Sequence, residues 1–152
     1  MFDANLDYTA EFTRTFDASL DLKLWIKLLK EELDELQEAL QGTDRENVLK
    51  ETADVLYVVA PVMALAGSLA GFGMITLDFI KAELEPLAAR MDKYFSSVAT
   101  MFSEATVAEA LKRVHDSNMS KVGEDGKPIR REDGKILKGS NYKAPDLKDL
   151  LQ

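Results

Sequence analysis

Two acidic motifs stand on either side of one short polar break, and both follow helical spacing. Glu31-Glu32-x-x-Glu35 lies in a segment whose apolar positions Leu22, Trp25, Ile26, Leu29, Leu33, Leu36 and Leu40 recur with a 3.6-residue period. The spacing predicts a helix from about Leu20 to Gln41, with an N-cap drawn from Asp17 to Ser19. Gly42 is a stop signal, Thr43 or Asp44 a new N-cap, and a second helix from about Arg45 to Leu69 carries Glu51-x-x-Asp54. Residues three or four apart share a helix face, so each motif aims its carboxylates one way. Helices joined by so short a loop pack antiparallel as neighbours. That loop divides the fifteen residues between Glu35 and Glu51 almost equally, which brings the two acidic pairs to similar heights.

So many negative charges in one small space repel or are forced to protonate unless a cation joins them. A hard divalent ion, Mg2+ or Mn2+, takes oxygen ligands at a near-octahedral centre. The first motif alone reads more readily as a solvated charged face, with i,i+4 partners in Lys27 and Lys30. Glu51 and Asp54 oppose that reading because they lie among Leu49, Ala53, Val55 and Leu56 on a helix that becomes nearly uncharged. With both pairs in register, a metal site is the favoured reading.

The remaining pattern is also helical. A first helix is predicted over residues 5–16 and another over about Thr76 to Ser103, with Pro86 marking a kink or a new first turn. A last helix covers about Thr106 to Met119, and Pro61 is expected to kink the helix that contains it. The apolar run Val55 to Gly73 reads as a buried core helix; a membrane span needs ~20 apolar residues with flanking anchors. Beyond Val122, Lys127 to Arg131 and Lys135 to Lys138 can form a short hairpin through Glu132-Asp133-Gly134, and Asp146 to Leu151 a short terminal helix. The expected architecture is all-α: a bundle of four or more helices with an irregular or hairpin-containing basic tail. Residues 1–121 are expected to form the helical part that carries both acidic motifs, and residues 122–152 a basic tail of the same domain, suited to clamp an anionic ligand.

The 152 residues contain no cysteine, which excludes disulfides, thiolate-zinc sites and thiol nucleophiles. No signal peptide is visible at Met1-Phe2-Asp3, and a cytoplasmic setting is expected. A net charge of −8 argues against a general nucleic-acid binder. The charge is unevenly divided: residues 1–111 carry 9 basic and 20 acidic side chains, residues 112–143 carry 9 and 5. An acidic body with a basic tail suits a small polyanion bridged by metal.

Trp25 precedes Glu32 by seven residues, so it lies on the same face about two turns, ~10.5 Å, away. That distance suits a base whose phosphates are held at the metal, although a core tryptophan fits equally. His115 reads as a packed or capping residue, and Met63, Met74, Met91 and Met101 as core or interface filler. The apolar segments 62–80 and 94–102 exceed what four helices need, which points to a homo-oligomer, a dimer or dimer of dimers.

The two acidic motifs resemble the signature of the all-α nucleoside triphosphate pyrophosphohydrolases: MazG-like proteins, dimeric dUTPases and dCTPases, and phosphoribosyl-ATP pyrophosphohydrolase. His115-x-Ser117-Asn118-Met119-Ser120-Lys121, Asp125-Gly126-Lys127-Pro128, Asp133-Gly134-Lys135 and Tyr142-x-x-Pro145-Asp146 resemble the C-terminal segment of the MazG-like branch. One departure is the segment from about Gly73 to Ser103, where that branch has a short connection. The resemblance implies attack of water on a nucleoside triphosphate (dUTP, dCTP or a guanine triphosphate), releasing monophosphate and pyrophosphate in nucleotide-pool control. By matched position Glu32, Glu35, Glu51 and Asp54 bind the principal Mg2+, for which Mn2+ substitutes. Glu31 holds a second ion or orients the water. Asn118 and Lys121 contact phosphate or sugar, with Arg130, Arg131, Lys135 and Lys138 as further phosphate candidates and Tyr142 closing over the nucleotide. A non-catalytic helical assembly protein with a structural ion is the alternative. A ferritin-like oxidase ranks low, because neither motif contains the histidine of a Glu-x-x-His ligand pair.

Overall fold

A computed structural model describes residues 2–152; Met1 lies outside the described residues. Six helical segments build the body: α1 (Phe2–Phe16), α2 (Leu22–Gln41), α3 (Arg45–Gly71), α4 (Leu77–Phe79), α5 (Glu85–Val98) and α6 (Glu104–Met119). The architecture is all-α, with one two-stranded ribbon in the tail. α2 packs along α3, α6 and α1 lie across α3 and against each other, and α5 closes over α2.

Local chemistry explains the boundaries. Asp21, rather than a residue of 17–19, caps α2: its side chain accepts from Lys23 N at 3.0 Å, while Ser19 Oγ accepts from Asp21 N. Asp17 takes a left-handed conformation (φ 45) and ends α1. Asp44 caps α3 through Asn47 N, and Ser103 caps α6 through Thr106 N. Gly42 ends α2 in an extended conformation, so its glycine is not demanded by a left-handed turn. α3 runs on through Pro61 to Gly71.

Of the two readings of Pro86 within the helical region Thr76 to Ser103, the new first turn is the one found. A π-turn at Ile80–Leu84 separates α4 from α5, and Glu85 N reaches back to Ile80 O. Pro86 opens α5 with no N–H to give and a ring that a regular ladder cannot accept; the wider turn absorbs the mismatch.

Leu29, Leu33, Leu36, Val48, Leu49, Val55, Leu111 and Val114 are fully or almost fully buried and form the centre of the core. On α2 and α6 these positions recur every three or four residues, the pattern that closes one face of a helix. α3 is long and apolar enough to cross a membrane by length and composition, and its first half is packed in this core. Burial continues through Val62 and Ala66, and only towards its end does the run depart from the core-helix expectation: Met63 is exposed, as are Phe72, Met74 and Leu77 just beyond the helix. Met91 and Met101 do pack against the core.

The tail folds back along the bundle. Ile129–Arg130 pairs antiparallel with Ile136–Leu137, a shorter ribbon than the sequence suggests. Gly134 turns the ribbon at φ 97, and Gly139 passes so close to Val122 that a Cβ there would lie 2.2 Å from the Val122 carbonyl oxygen. Ser117 Oγ donates to Lys143 O at 2.6 Å and Ser120 Oγ accepts from Lys143 N at 2.8 Å. Leu147 is fully buried, and the end of the chain forms a 3-10 turn at Lys148–Leu151. Arg113 on α6 forks onto Asp149 at 2.5 and 2.9 Å.

Candidate active site

α2 and α3 bring their acidic faces together. One carboxylate oxygen each from Glu32, Glu35 and Glu51 lies within 4.8 Å of the others. Glu51 is buried, and its Oε2 has no hydrogen-bond partner. Burial raises the Glu51 carboxyl above its ordinary range, against the pull of Lys50. Burial, then the nearby Asp54, pushes Glu32 up to about 7. An acidic group at this density, with an orphaned buried oxygen, has the donor set of a hard divalent cation.

Asp54 stands beside this group rather than in its closest set. Lys50, one turn before it, donates to Asp54 Oδ2 at 2.8 Å and to Glu51 Oε1 at 2.9 Å. Burial works against the charge on Lys50, but the two carboxylates outweigh it and hold the proton more tightly than usual. Sequence reading passed over Lys50, although Lys-Glu-x-x-Asp was itself the signal: i,i+4 spacing places an ammonium on an aspartate.

Glu31 stands at the edge of the close group, outside its tightest set. Its carboxylate accepts from Lys135 Nζ at 2.8 Å and Arg131 Nη2 at 2.9 Å. Partial burial works upward on Glu31, and these two cations together overcome it and hold its carboxyl low. Asp133 completes the latch by accepting from Arg131 at 2.7 Å and Lys27 at 2.5 Å. Arg130 is not brought to the site. Successive strand residues point to opposite sides, so Arg131 reaches Glu31 while the Arg130 guanidinium donates to the Phe16 carbonyl.

Two cavities meet at the carboxylates. One is an apolar slot lined by Phe12, Leu24, Trp25, Leu28, Tyr57 and Ile136. The other is polar and holds Glu35, Lys50, Lys138 and Tyr142. Glu32, Asp54, Asn118, Lys121 and Lys135 border both. Trp25 is buried, its Nε1 donating to Ser19 O at 2.8 Å, so its ring is held as a fixed wall of the slot. Burial lowers the affinity of Lys121 for its proton, with Asp54 and Glu32 opposing. Lys138 Nζ lies 4.8 Å from the Tyr142 ring centroid, a cation–π contact across the polar cavity's rim.

His115 is packed beneath the slot, with Nδ1 3.1 Å from Tyr57 Oη and Nε2 3.3 Å from Glu11 Oε2. Tyr8 stacks on its ring at 4.5 Å. Sequence reading also missed Tyr57 and Phe12 as slot residues; both are apolar-periodic positions with no sequence mark that separates a pocket wall from core.

A helical body that presses two carboxylate pairs together under a cationic tail belongs to the class of all-α nucleotide pyrophosphohydrolases. Family comparison narrows the class: the model for phosphoribosyl-ATP pyrophosphohydrolase matches residues 6–85, over half the chain, and the protein belongs to that family. The matched region contains both acidic motifs and runs on through α4 and the π-turn. No curated protein and no solved structure matches the chain.

Proposed function

We propose that the protein hydrolyses a nucleoside or deoxynucleoside triphosphate to the monophosphate and pyrophosphate, with a divalent cation as cofactor. The observation that carries this reading is the meeting of two unlike cavities at one carboxylate group. The apolar slot has the walls a base requires, and the polar cavity has the lysines a triphosphate requires. Glu32, Glu35, Glu51 and Asp54 would hold Mg2+, with Mn2+ as a substitute and Glu31 available to a second ion. When bound, the ion supplies Lewis acidity, which makes water a better nucleophile at neutral pH and offsets charge developing on phosphoryl oxygens.

The chain's own residues supply position and charge. Lys121, Lys135 and Lys138 neutralise phosphate oxygens, Asn118 offers an amide where sugar and phosphate meet, and Tyr142 closes the polar end. Trp25, with Phe12 and Tyr57, encloses the base and keeps bulk water from the scissile end. Ser117, the hydroxyl beside Asn118, is already engaged with the Lys143 carbonyl, in keeping with direct attack by water. Water adds to the α-phosphorus as the bond to the bridging oxygen breaks, and pyrophosphate departs. The exposed Met63, Phe72, Met74 and Leu77 support association into a homo-oligomer through the far end of α3.

The test is a panel of ribo- and deoxynucleoside triphosphates with Mg2+ or Mn2+, scored for pyrophosphate. Release of pyrophosphate with equimolar monophosphate from at least one member is expected, abolished by chelator. Absence of turnover across the panel would leave the non-catalytic assembly protein as the better description.

A further inference from the structure

We propose that Lys50 is an internal stand-in for the divalent cation, held on Glu51 and Asp54 until the ion arrives and then transferred to the phosphate side of the cavity. The inference rests on the metal-dependent reading above. Three observations carry it. Lys50 Nζ lies 2.9 Å from Glu51 Oε1 and 2.8 Å from Asp54 Oδ2, so one ammonium bridges the acidic pair of α3. The Glu51 side chain is only 7% exposed, and its Oε2 is without a hydrogen-bond partner. Of the two carboxylates that Lys50 holds, Glu51 belongs to the close group with Glu32 and Glu35, and Asp54 stands outside it.

A buried carboxylate without a counter-charge is costly. Lys50 supplies that charge on α3, where the carboxylates of α2 supply only repulsion. An ion that gathers carboxylates from both helices must take Asp54 and Glu51 from Lys50. The displaced ammonium has a flexible four-carbon stem and already borders the polar cavity with Lys121 and Lys138. One unit of positive charge thus leaves the carboxylates as two enter, and the phosphate side gains a fourth lysine beside Lys121, Lys135 and Lys138. Metal loading and phosphate binding become coupled through one side chain.

Mg2+ titration calorimetry without nucleotide, on wild type, Lys50→Met, Lys50→Arg and Glu35→Gln, tests the exchange. Lys50→Met should bind Mg2+ on the order of tenfold more tightly, melt at a lower temperature in EDTA, and gain more from Mg2+ than wild type does. Lys50→Arg, which keeps the charge, should stay within about twofold of wild type. In excess Mg2+, Lys50→Met should bind inorganic tripolyphosphate more weakly, by roughly fivefold. If Lys50→Met does not fold, Lys50→Gln carries the same comparison. Unchanged or weaker Mg2+ binding without the lysine overturns the stand-in, and unchanged tripolyphosphate binding overturns the transfer. If wild type binds no Mg2+, or Glu35→Gln binds it as well as wild type does, the metal reading itself falls and this inference with it.

Discussion

Lys135 of the tail and Glu31 of α2, 104 positions apart, form an ion pair of 2.8 Å at the edge of the carboxylate group. The same ammonium lies 3.7 Å from Glu32 Oε1, so Lys135 stands between the latch of the tail and the acidic centre. On the proposed function, a phosphate entering the polar cavity would compete with Glu31 for Lys135. The pairing therefore holds the tail in place while leaving its cations exchangeable.

Replacing Lys135 with alanine removes one arm of the latch and, on the proposed function, a phosphate contact. KM for the triphosphate should rise about tenfold, the cost of one charge-assisted contact, with a smaller change in kcat. Limited proteolysis between Val122 and Gly139 should become faster. A tail equally protected in the variant would show that the latch does not hold it.

Glu35→Gln and Asp54→Asn each remove one charge from the acidic group while keeping its shape. Both should lose turnover by about 100-fold or more, as expected when a cation's ligand set is broken. Helical circular dichroism should be retained, because neither side chain contributes to the apolar core. Turnover with Mg2+ at the wild-type level in both variants would remove these residues from the site.

Metal-free protein should lose stability as pH rises. Burial and Asp54 raise Glu32 from an ordinary 4.5 to about 7. Between these values the folded state binds more protons than the unfolded state, so the stability associated with the raised value is fully present below pH 4.5 and lost as pH climbs through about 7. The difference is on the order of 2–3 kcal/mol. Glu51, raised in the same direction, adds to it. Urea denaturation in EDTA at pH 5 and pH 8 measures the difference, and Mg2+ should restore stability chiefly at pH 8. Higher stability at pH 8 in EDTA would contradict the charge crowding inferred at Glu32.

Gly139→Ala tests whether the tail's path is fixed by close backbone approach. Its Cβ would meet the Val122 carbonyl oxygen at 2.2 Å, well inside contact distance, and the carbonyl belongs to backbone that cannot swing aside. Destabilisation of about 1–3 kcal/mol is expected, with a raised KM because Lys135 and Lys138 flank the displaced segment. Melting temperature and substrate saturation measured on the same preparation check both effects.

Much of this architecture was legible because its causes are local. The 3.6-residue pattern from Leu22 to Leu40 marks the buried face of α2 directly, and Asp44 marks the start of α3 by the hydrogen bond it can offer. Glu32, Glu35 and Glu51 converge because spacing and a short loop leave two antiparallel helices little alternative register. Local rules failed where two signals competed. Asp17, Ser19 and Asp21 can all cap a helix, and Asp21 takes the role because Asp17 turns left-handed at the end of α1 and Ser19 is spent on Asp21 N. The division at Ile80–Leu84 needed the geometry of Pro86 within a packed helix, which composition alone does not resolve.

The sequence by itself determined the helices, the facing acidic pairs and the basic character of the tail. Only the tertiary structure decided which distant cations the acidic face meets: Arg131 and Lys135 on Glu31, with Arg130 turned aside to Phe16. The physical reason is that helix registration is written within a few turns of chain. Charge pairing across 100 or more positions depends instead on where a glycine-turned ribbon comes to rest on a folded surface.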